Sequence, residues 1–168
     1  MPQPVEYRGM TLIVPDNDSE WKEFYEHARS HRLVVRKCTA CGLVRYPPTH
    51  ACPWCMDLGW AWQDVSGRGT IYSYEIVVHA IQPGFKELAP YPVVLVELDE
   101  QRAKPTPDES LRIIGNLVKP DLAPEEEKNV AIGKRVRVIF QDLADHMALP
   151  QFTLVDEPPQ GRVWRLPD

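Results

Sequence analysis

No apolar run in the chain approaches the ~18–20 residues that a membrane-spanning helix requires, so no such helix is expected. Met1 to Gly9 is polar and lacks a basic-then-apolar leader pattern, and the expectation is a cytoplasmic chain. The motifs that announce catalysis are missing too: G-x-S-x-G, the Walker A loop, H-E-x-x-H and G-x-G-x-x-G do not occur. Gly67-Arg68-Gly69 is too short for a phosphate loop. It reads as a bulge between strands, with a phosphate contact through Arg68 as the other reading. Positive charge is in short supply. The net charge is −5, and a surface of that sign repels a phosphate backbone at long range. General nucleic-acid binding is disfavoured, although a local basic groove is not excluded.

Proline is plentiful, with 17 in 168 residues. That composition works against long helices and favours short strands joined by rigid loops. Hydrophobic residues at 43% and charged residues at 26% match an ordinary globular chain of one domain or two small ones.

The four cysteines carry the most specific signal. Cys38-Thr39-Ala40-Cys41 and Cys52-Pro53-Trp54-Cys55 are two Cys-x-x-Cys knuckles, and ten residues separate Cys41 from Cys52. Two intervening residues let both sulfurs of a pair face one centre, and a hairpin between the pairs brings all four together. Four thiolates satisfy a tetrahedral zinc ion completely. In a reducing compartment such pairs are metal ligands more often than disulfides. Gly42 stands where a knuckle turn commonly needs a positive φ. Redox iron is the other metal to weigh, because rubredoxin uses similar knuckles. Here, however, Met56 replaces the glycine that follows its second pair, and the segment between the pairs is much shorter. His50 reads as a surface histidine, since a shell of four sulfurs has no need of it. The zinc is therefore expected to be structural, with no open position for chemistry.

Along the chain, Met1 to Asp16 reads as an irregular arm. Asp18 or Ser19 is placed to cap a helix whose Trp21, Phe24, Tyr25 and Ala28 form one apolar face, ending near His31. Those aromatics either pack on their own domain or form a docking face or ligand wall. Strands are expected at 33–37, 62–65, 70–79, 93–98, 111–118, 134–141 and 152–155, and a short helix at 124–130. His79 closes its strand beside a proline-flanked loop, either as a hydrogen-bonded rim residue or as a site residue. Glu125-Glu126-Glu127 reads as a solvated helix face. From 70–79 onward the order is three strands, a helix and two strands. A five-stranded OB-type barrel has that order, and another small antiparallel barrel stays open because order alone does not fix pairing. The divisions expected are 1–32 for the arm and aromatic helix, 33–61 for the ribbon, 62–156 for the barrel and 157–168 for a tail.

A set of short motifs in fixed order gives a further reading. It comprises Trp21-Lys22-Glu23-Phe24-Tyr25, the two knuckles, Tyr46-Pro47-Pro48, Ser66-Gly67-Arg68-Gly69-Thr70-Ile71-Tyr72-Ser73, His79, Pro83-Gly84-Phe85, Pro90-Tyr91, Val96-Glu97-Leu98, Ile132-Gly133-Lys134 and Pro150-Gln151-Phe152. From about residue 19 to 156 the chain resembles the OB-fold, acyl-CoA-associated zinc-ribbon family catalogued as domain of unknown function thirty-five. The resemblance implies a mainly β fold: an N-terminal helix, a rubredoxin-like four-cysteine zinc ribbon and a five-stranded OB barrel. It also implies a non-catalytic partner of a thiolase-like enzyme, one that helps form or cover an acyl-CoA site. Relatives often carry arginine after the proline pair, where this chain has Thr49. Lys37 and Arg45 are candidates to replace it. The candidate acyl-CoA or partner contacts are then Trp21, Phe24, Tyr25, Lys37, Arg45, Tyr46, Trp54, Arg68, His79 and Phe85. Surplus aromatics at the ribbon (Tyr46, Trp54, Trp60, Trp62) suit an interface. The alternative is a single-stranded nucleic-acid module using aromatics with Arg68, Lys86, Arg135 and Arg137. A third reading is an enzyme in its own right or a redox iron protein.

Overall fold

The computed structural model describes residues 4–13, 19–145 and 147–165, without the side chains of 19 and 20. The expected caps at Asp18 and Ser19 therefore lie outside the described side chains.

The irregular arm is replaced by a hairpin. Pro4–Tyr7 (β1) and Met10–Ile13 (β2) pair antiparallel, from Pro4↔Ile13 to Tyr7↔Met10. Both turn residues have positive φ, Arg8 at 50° and Gly9 at 71°, as a two-residue turn between right-twisted strands requires. Arg8-Gly9 is not one of the usual hairpin dipeptides, so the sequence concealed the turn. Val5 and Tyr7 alternate inward and are 2% and 8% exposed.

The helix (α1) spans Ser19–Arg29. It forms because apolar residues recur on one face: Phe24 and Ala28 are buried, and Trp21 and Tyr25 are half-buried beside them. Lys22 and Glu26 face outward as an i, i+4 pair at 3.7 Å. The helix stops where His31 takes a φ of 53°. A three-stranded sheet follows, from Val34–Cys38 (β3), Val44–Arg45 (β4) and Trp60–Asp64 (β5), with β3 in the centre.

Five further strands make the barrel: Arg68–Val77 (β6), Tyr91–Leu98 (β7), Arg112–Asn116 (β8), Arg135–Ala144 (β9) and Met147–Leu154 (β10). Their order is β10-β9-β6-β7-β8. A parallel bridge, Leu117↔Phe152, joins the two ends and closes the ring, which is the pairing of an OB barrel. In β7 every second residue is buried (Pro92, Val94, Val96, Leu98), as the strand period of two dictates. The expected helix at 124–130 is corrected to a single 3-10 turn at Glu127–Asn129. Pro124 instead bridges Val118, and the Glu125 amide donates to Leu117 O at 3.0 Å, so the first helical turn is spent on strand-like bonds. Another correction concerns His79: β6 ends at Val77, and His79 sits in an exposed bend beyond it.

One core runs through these parts. Phe24 of α1, Leu33, Val34, Val35 and Val44 of the ribbon, and Ile71, Val94, Ile113, Val136 and Phe152 of the barrel form a single buried cluster. No helix among the described residues is long and apolar enough to cross a membrane.

Candidate metal centre

The knuckles are built by one local rule applied twice. In the first, the Cys38 amide donates to Leu43 O at 2.8 Å and the Gly42 amide donates to Cys38 O at 3.0 Å. In the second, the Cys52 amide donates to Asp57 O and the Met56 amide to Cys52 O, each at 2.9 Å. Gly42 and Met56 hold equivalent places, with φ of 77° and 62°. The left-handed turn expected at Gly42 is present. At Met56 the same turn is made by a residue with a Cβ, at a steric cost.

These turns bring the four sulfurs to one centre. Cys38 Sγ lies 3.6 Å from Cys55 Sγ, and Cys41 Sγ lies 3.6 Å from Cys52 Sγ. All four sulfurs fall within 4.8 Å of one another. A tetrahedral ion with metal–sulfur bonds of about 2.3 Å has sulfur–sulfur edges of about 3.8 Å, so the tetrad fits zinc. Cys38 and Cys52 are buried and Cys41 and Cys55 exposed.

The thiols divide in their acidity. The Cys41 amide, with that of Ala40, holds Cys38 down to about 7 against the upward push of burial. Cys52 also lies below its usual value: burial raises it, but the amides of Cys55 and Trp54 outweigh that. Cys55 is helped by the Asp57 amide and opposed by burial, yet its neighbours Cys41, Cys38 and Cys52 push it up to about 12. Cys41 is raised as well, despite the Leu43 amide. Sulfurs this close share negative charge poorly, and a divalent cation at their centre removes the conflict. With all four sulfurs bound, a tetrahedral ion has no open position.

The remaining candidates fall into several places. Trp21, Phe24, Tyr25 and Tyr46 converge: Trp21 lies 5.7, 6.1 and 5.8 Å, centroid to centroid, from Phe24, Tyr25 and Tyr46. Burial, and secondarily Tyr25, pushes the Tyr46 hydroxyl up to about 12. This nest packs helix against ribbon, and three of its rings also wall a groove of about 290 Å³ that runs to Ile114 and Pro150 of the barrel. Lys37 is exposed on β3, and Trp54 is 52% exposed on the second knuckle. Arg45 is buried, donating to the carbonyls of Thr49 and His50. Arg68 pairs with Glu157. Phe85 packs between Tyr7 and Tyr91, at 5.8 and 5.9 Å. Arg135, suggested above for a basic groove, is buried and donates to Asp99 at 2.8 Å. Of the four cations of the nucleic-acid reading, Arg135 is thus neutralised inside the molecule and the exposed Arg68 is paired with a carboxylate at the surface.

Three structural roles were not expected from the sequence. Arg36 is buried, with its guanidinium 3.6 Å from the Trp60 ring centroid, a close cation–π contact. Trp62 Nε1 donates to Glu23 Oε2 at 2.6 Å and ties α1 to β5. Gln101, in the loop after β7, accepts from the Val44 amide at 2.9 Å and donates to Val44 O at 2.8 Å. A tryptophan-flanked strand is a faint sign of the first, and nothing local signals the Gln101 contact.

Comparison with known proteins adds to this geometry. Residues 26–57 match the family described as "ChsH2, rubredoxin-like zinc ribbon domain", and residues 62–141 match "ChsH2, C-terminal OB-fold domain". A Methanocaldococcus jannaschii protein named "DUF35 domain-containing scaffold protein" is 30% identical over 126 residues, covering 74% of this chain and 77% of its own length. A Thermomonospora curvata protein named "Probable enoyl-CoA hydratase alpha subunit" is 33% identical over 129 residues, covering 77% of this chain. The chain spans only 35% of that relative's length. Among solved structures, a chain of "Ltp2-ChsH2(DUF35) aldolase" superposes with a TM-score of 0.67 at 30% identity, covering 84% of this chain and 98% of that one.

Proposed function

The chain belongs to the DUF35 family, in the ChsH2 form that joins a rubredoxin-like zinc ribbon to an OB-fold domain, and from that premise we propose that it is a non-catalytic accessory subunit of a thiolase-like enzyme acting on acyl-CoA thioesters in the cytoplasm. The observation that carries this reading is the likeness, over almost the whole of the matched chain, to a component of an Ltp2-containing aldolase. The chemistry of the site agrees. Four thiolates close the metal shell, so the ion contributes folding energy and leaves activation of water or substrate to another subunit. The exposed residues around the ribbon, Lys37 and Trp54 with Met56 at 71% and Leu58 at 60%, supply the mixed apolar and cationic surface from which interface hot spots are drawn.

The test is co-expression with a thiolase-like subunit of the Ltp2 type, followed by affinity capture and size-exclusion chromatography with light scattering. A stable, stoichiometric complex is expected. If the two proteins elute separately at concentrations of about 10 μM, well above the Kd of a stable complex, the reading fails.

A further inference from the structure

The barrel is closed at one step and left open at the next. At the Leu117↔Phe152 bridge the Val118 amide donates to Phe152 O at 2.8 Å, and no further bridge joins β8 to β10 among the described residues. Continuing this parallel ladder would require the N–H of residue 150 to reach Ile114 O. That residue is Pro150, which has no N–H. On its other side β8 is paired with β7. The Leu98 amide donates to Leu111 O and the Leu117 amide to Pro92 O, each at 3.0 Å. With Val96↔Ile113, Leu95↔Ile114 and Val94↔Gly115 in register, the main chain of Ile113 and Gly115 turns toward β7 and that of Ile114 turns away. The Asn116 amide also turns away, and Gln151 Oε1 accepts from it at 3.0 Å. Ile114 has no such cap among the described residues and is 60% exposed. Natural sheet edges are blunted by a charge, a proline or a cover. Pro150 blunts β10, but the Arg112 guanidinium is drawn over the Tyr72 ring and toward Glu97, and Ile114 itself is apolar.

This edge borders the groove of about 290 Å³ beside α1. Gly115 is half-buried and belongs to the lining, so the groove reaches the β8 main chain itself. Tyr25 and Tyr46 line it from the helix and the ribbon. Their hydroxyls have no hydrogen-bond partner among the described residues, yet neither is sealed from solvent. Burial raises both phenols, with Tyr25 adding to Tyr46, so at neutral pH both are O–H donors. No charged residue lines the groove. A charged ligand would find no counter-ion there, and neither would the phosphates of a nucleotide-bearing thioester. The unpaired groups instead suit an uncharged chain that gives an N–H to Ile114 O and carbonyls to the phenols. An extended polypeptide presents both kinds of group on each edge at every second residue.

We propose that an extended, uncharged segment of a partner protein adds to the Ile114 edge of β8 as a further strand, with Tyr25 and Tyr46 donating to its outer carbonyls. Strand addition of this kind draws affinity from main-chain hydrogen bonds. The proposal goes beyond the accessory-subunit reading and does not depend on it, because its test uses this chain and synthetic ligands alone.

The zinc-loaded, nitrogen-15-labelled chain is titrated with the acetylated, amidated pentapeptide Thr-Val-Ser-Val-Thr. Parallel titrations use the same peptide with its three central N–H groups methylated, the same peptide with both valines replaced by glutamate, and pantetheine. The readouts are backbone amide shifts and amide hydrogen exchange. Saturable binding of the parent peptide is expected at a Kd of about 1 mM or tighter. At three times Kd, exchange at Ile114 should slow about fourfold, while Ile113 and Gly115, already bonded to β7, change little. The methylated and glutamate peptides should bind at least about tenfold more weakly, as should the parent peptide to Ile114→Lys, an exposed change that charges the edge. Tyr25→Phe and Tyr46→Phe keep the rings and should each weaken binding about three- to fivefold. The proposal is overturned if saturating peptide leaves Ile114 exchange unchanged, if the methylated peptide binds equally well, or if both phenylalanine variants bind like the parent. Pantetheine protecting Ile114 at a lower concentration than the peptide would also overturn it, by marking a small amide ligand. Should the tyrosine variants fail to fold, the methylated peptide and Ile114→Lys decide alone.

Discussion

Replacing Gln101 by leucine is expected to loosen the ribbon from the barrel at one point. Gln101 is 9% exposed, and its amide makes both bonds that an adjoining strand would make to Val44. Leucine has a similar volume and no polar atoms, so the Val44 N–H and C=O are left buried without partners. Each such group costs about 1–3 kcal/mol, and the added apolar burial returns about 1 kcal/mol. The net loss is then about 1–5 kcal/mol, a large share of the 5–15 kcal/mol typical of a domain. Urea unfolding of the zinc-loaded chain, followed by tryptophan fluorescence, reads it well, since Trp21, Trp54, Trp60 and Trp62 all lie in the helix and ribbon. Gln101→Glu keeps an acceptor but sets a carboxylate against Val44 O, and it should cost at least as much at neutral pH. A midpoint that moves by less than the equivalent of about 1 kcal/mol in the leucine variant would refute the idea that this amide locks ribbon to barrel.

Met56→Gly removes a left-handed strain at φ 62° and sacrifices a side chain that is 71% exposed; a gain of about 1 kcal/mol and slower zinc loss to a chromophoric chelator are expected. Gly42→Ala, at φ 77°, should shift both measurements the opposite way by a similar amount. Asp99→Asn leaves the buried Arg135 guanidinium with Glu157 as its remaining carboxylate, and a loss of about 2–3 kcal/mol is expected by thermal or urea unfolding. In the parent chain the hydrogen bond from Arg135 holds the Asp99 carboxyl below its usual range. Its contribution is therefore complete above about pH 4 and disappears as the pH falls through the lowered value, and Asp99→Asn should flatten that acid limb of the stability profile. Lowering the pH should also release zinc, because each leaving thiolate takes up a proton; collapse of the ribbon's near-ultraviolet circular dichroism together with zinc release is the check.

What could be read in advance followed the range of the interaction. The metal tetrad was legible because two-residue spacing within each pair fixes local geometry, and Gly42 because a positive φ selects glycine. The β7 strand was legible from its short run of apolar, mostly β-branched residues at 93–98, and α1 from Trp21, Phe24, Tyr25 and Ala28. The hairpin at Pro4–Ile13 was hidden because Arg8-Gly9 takes left-handed angles that arginine seldom signals. The segment 124–130 looked helical from proline and glutamate composition, yet pairing with Leu117 and Val118, just past the end of β8, claimed it. Gln101 and Arg36 act across 57 residues and across a sheet; neither distance leaves a periodic trace. Arg45 differs again. Its number of bonds to Thr49 and His50 depends on a loop conformation that proline spacing suggests but does not specify.

The most direct test of the accessory role is acyl-CoA turnover with the components separate and mixed. The zinc-loaded chain alone should turn over no thioester, the thiolase-like subunit alone should be slow or unstable, and equimolar mixing should restore activity. Turnover by the purified chain alone, lost with the chain's own zinc, would contradict the account.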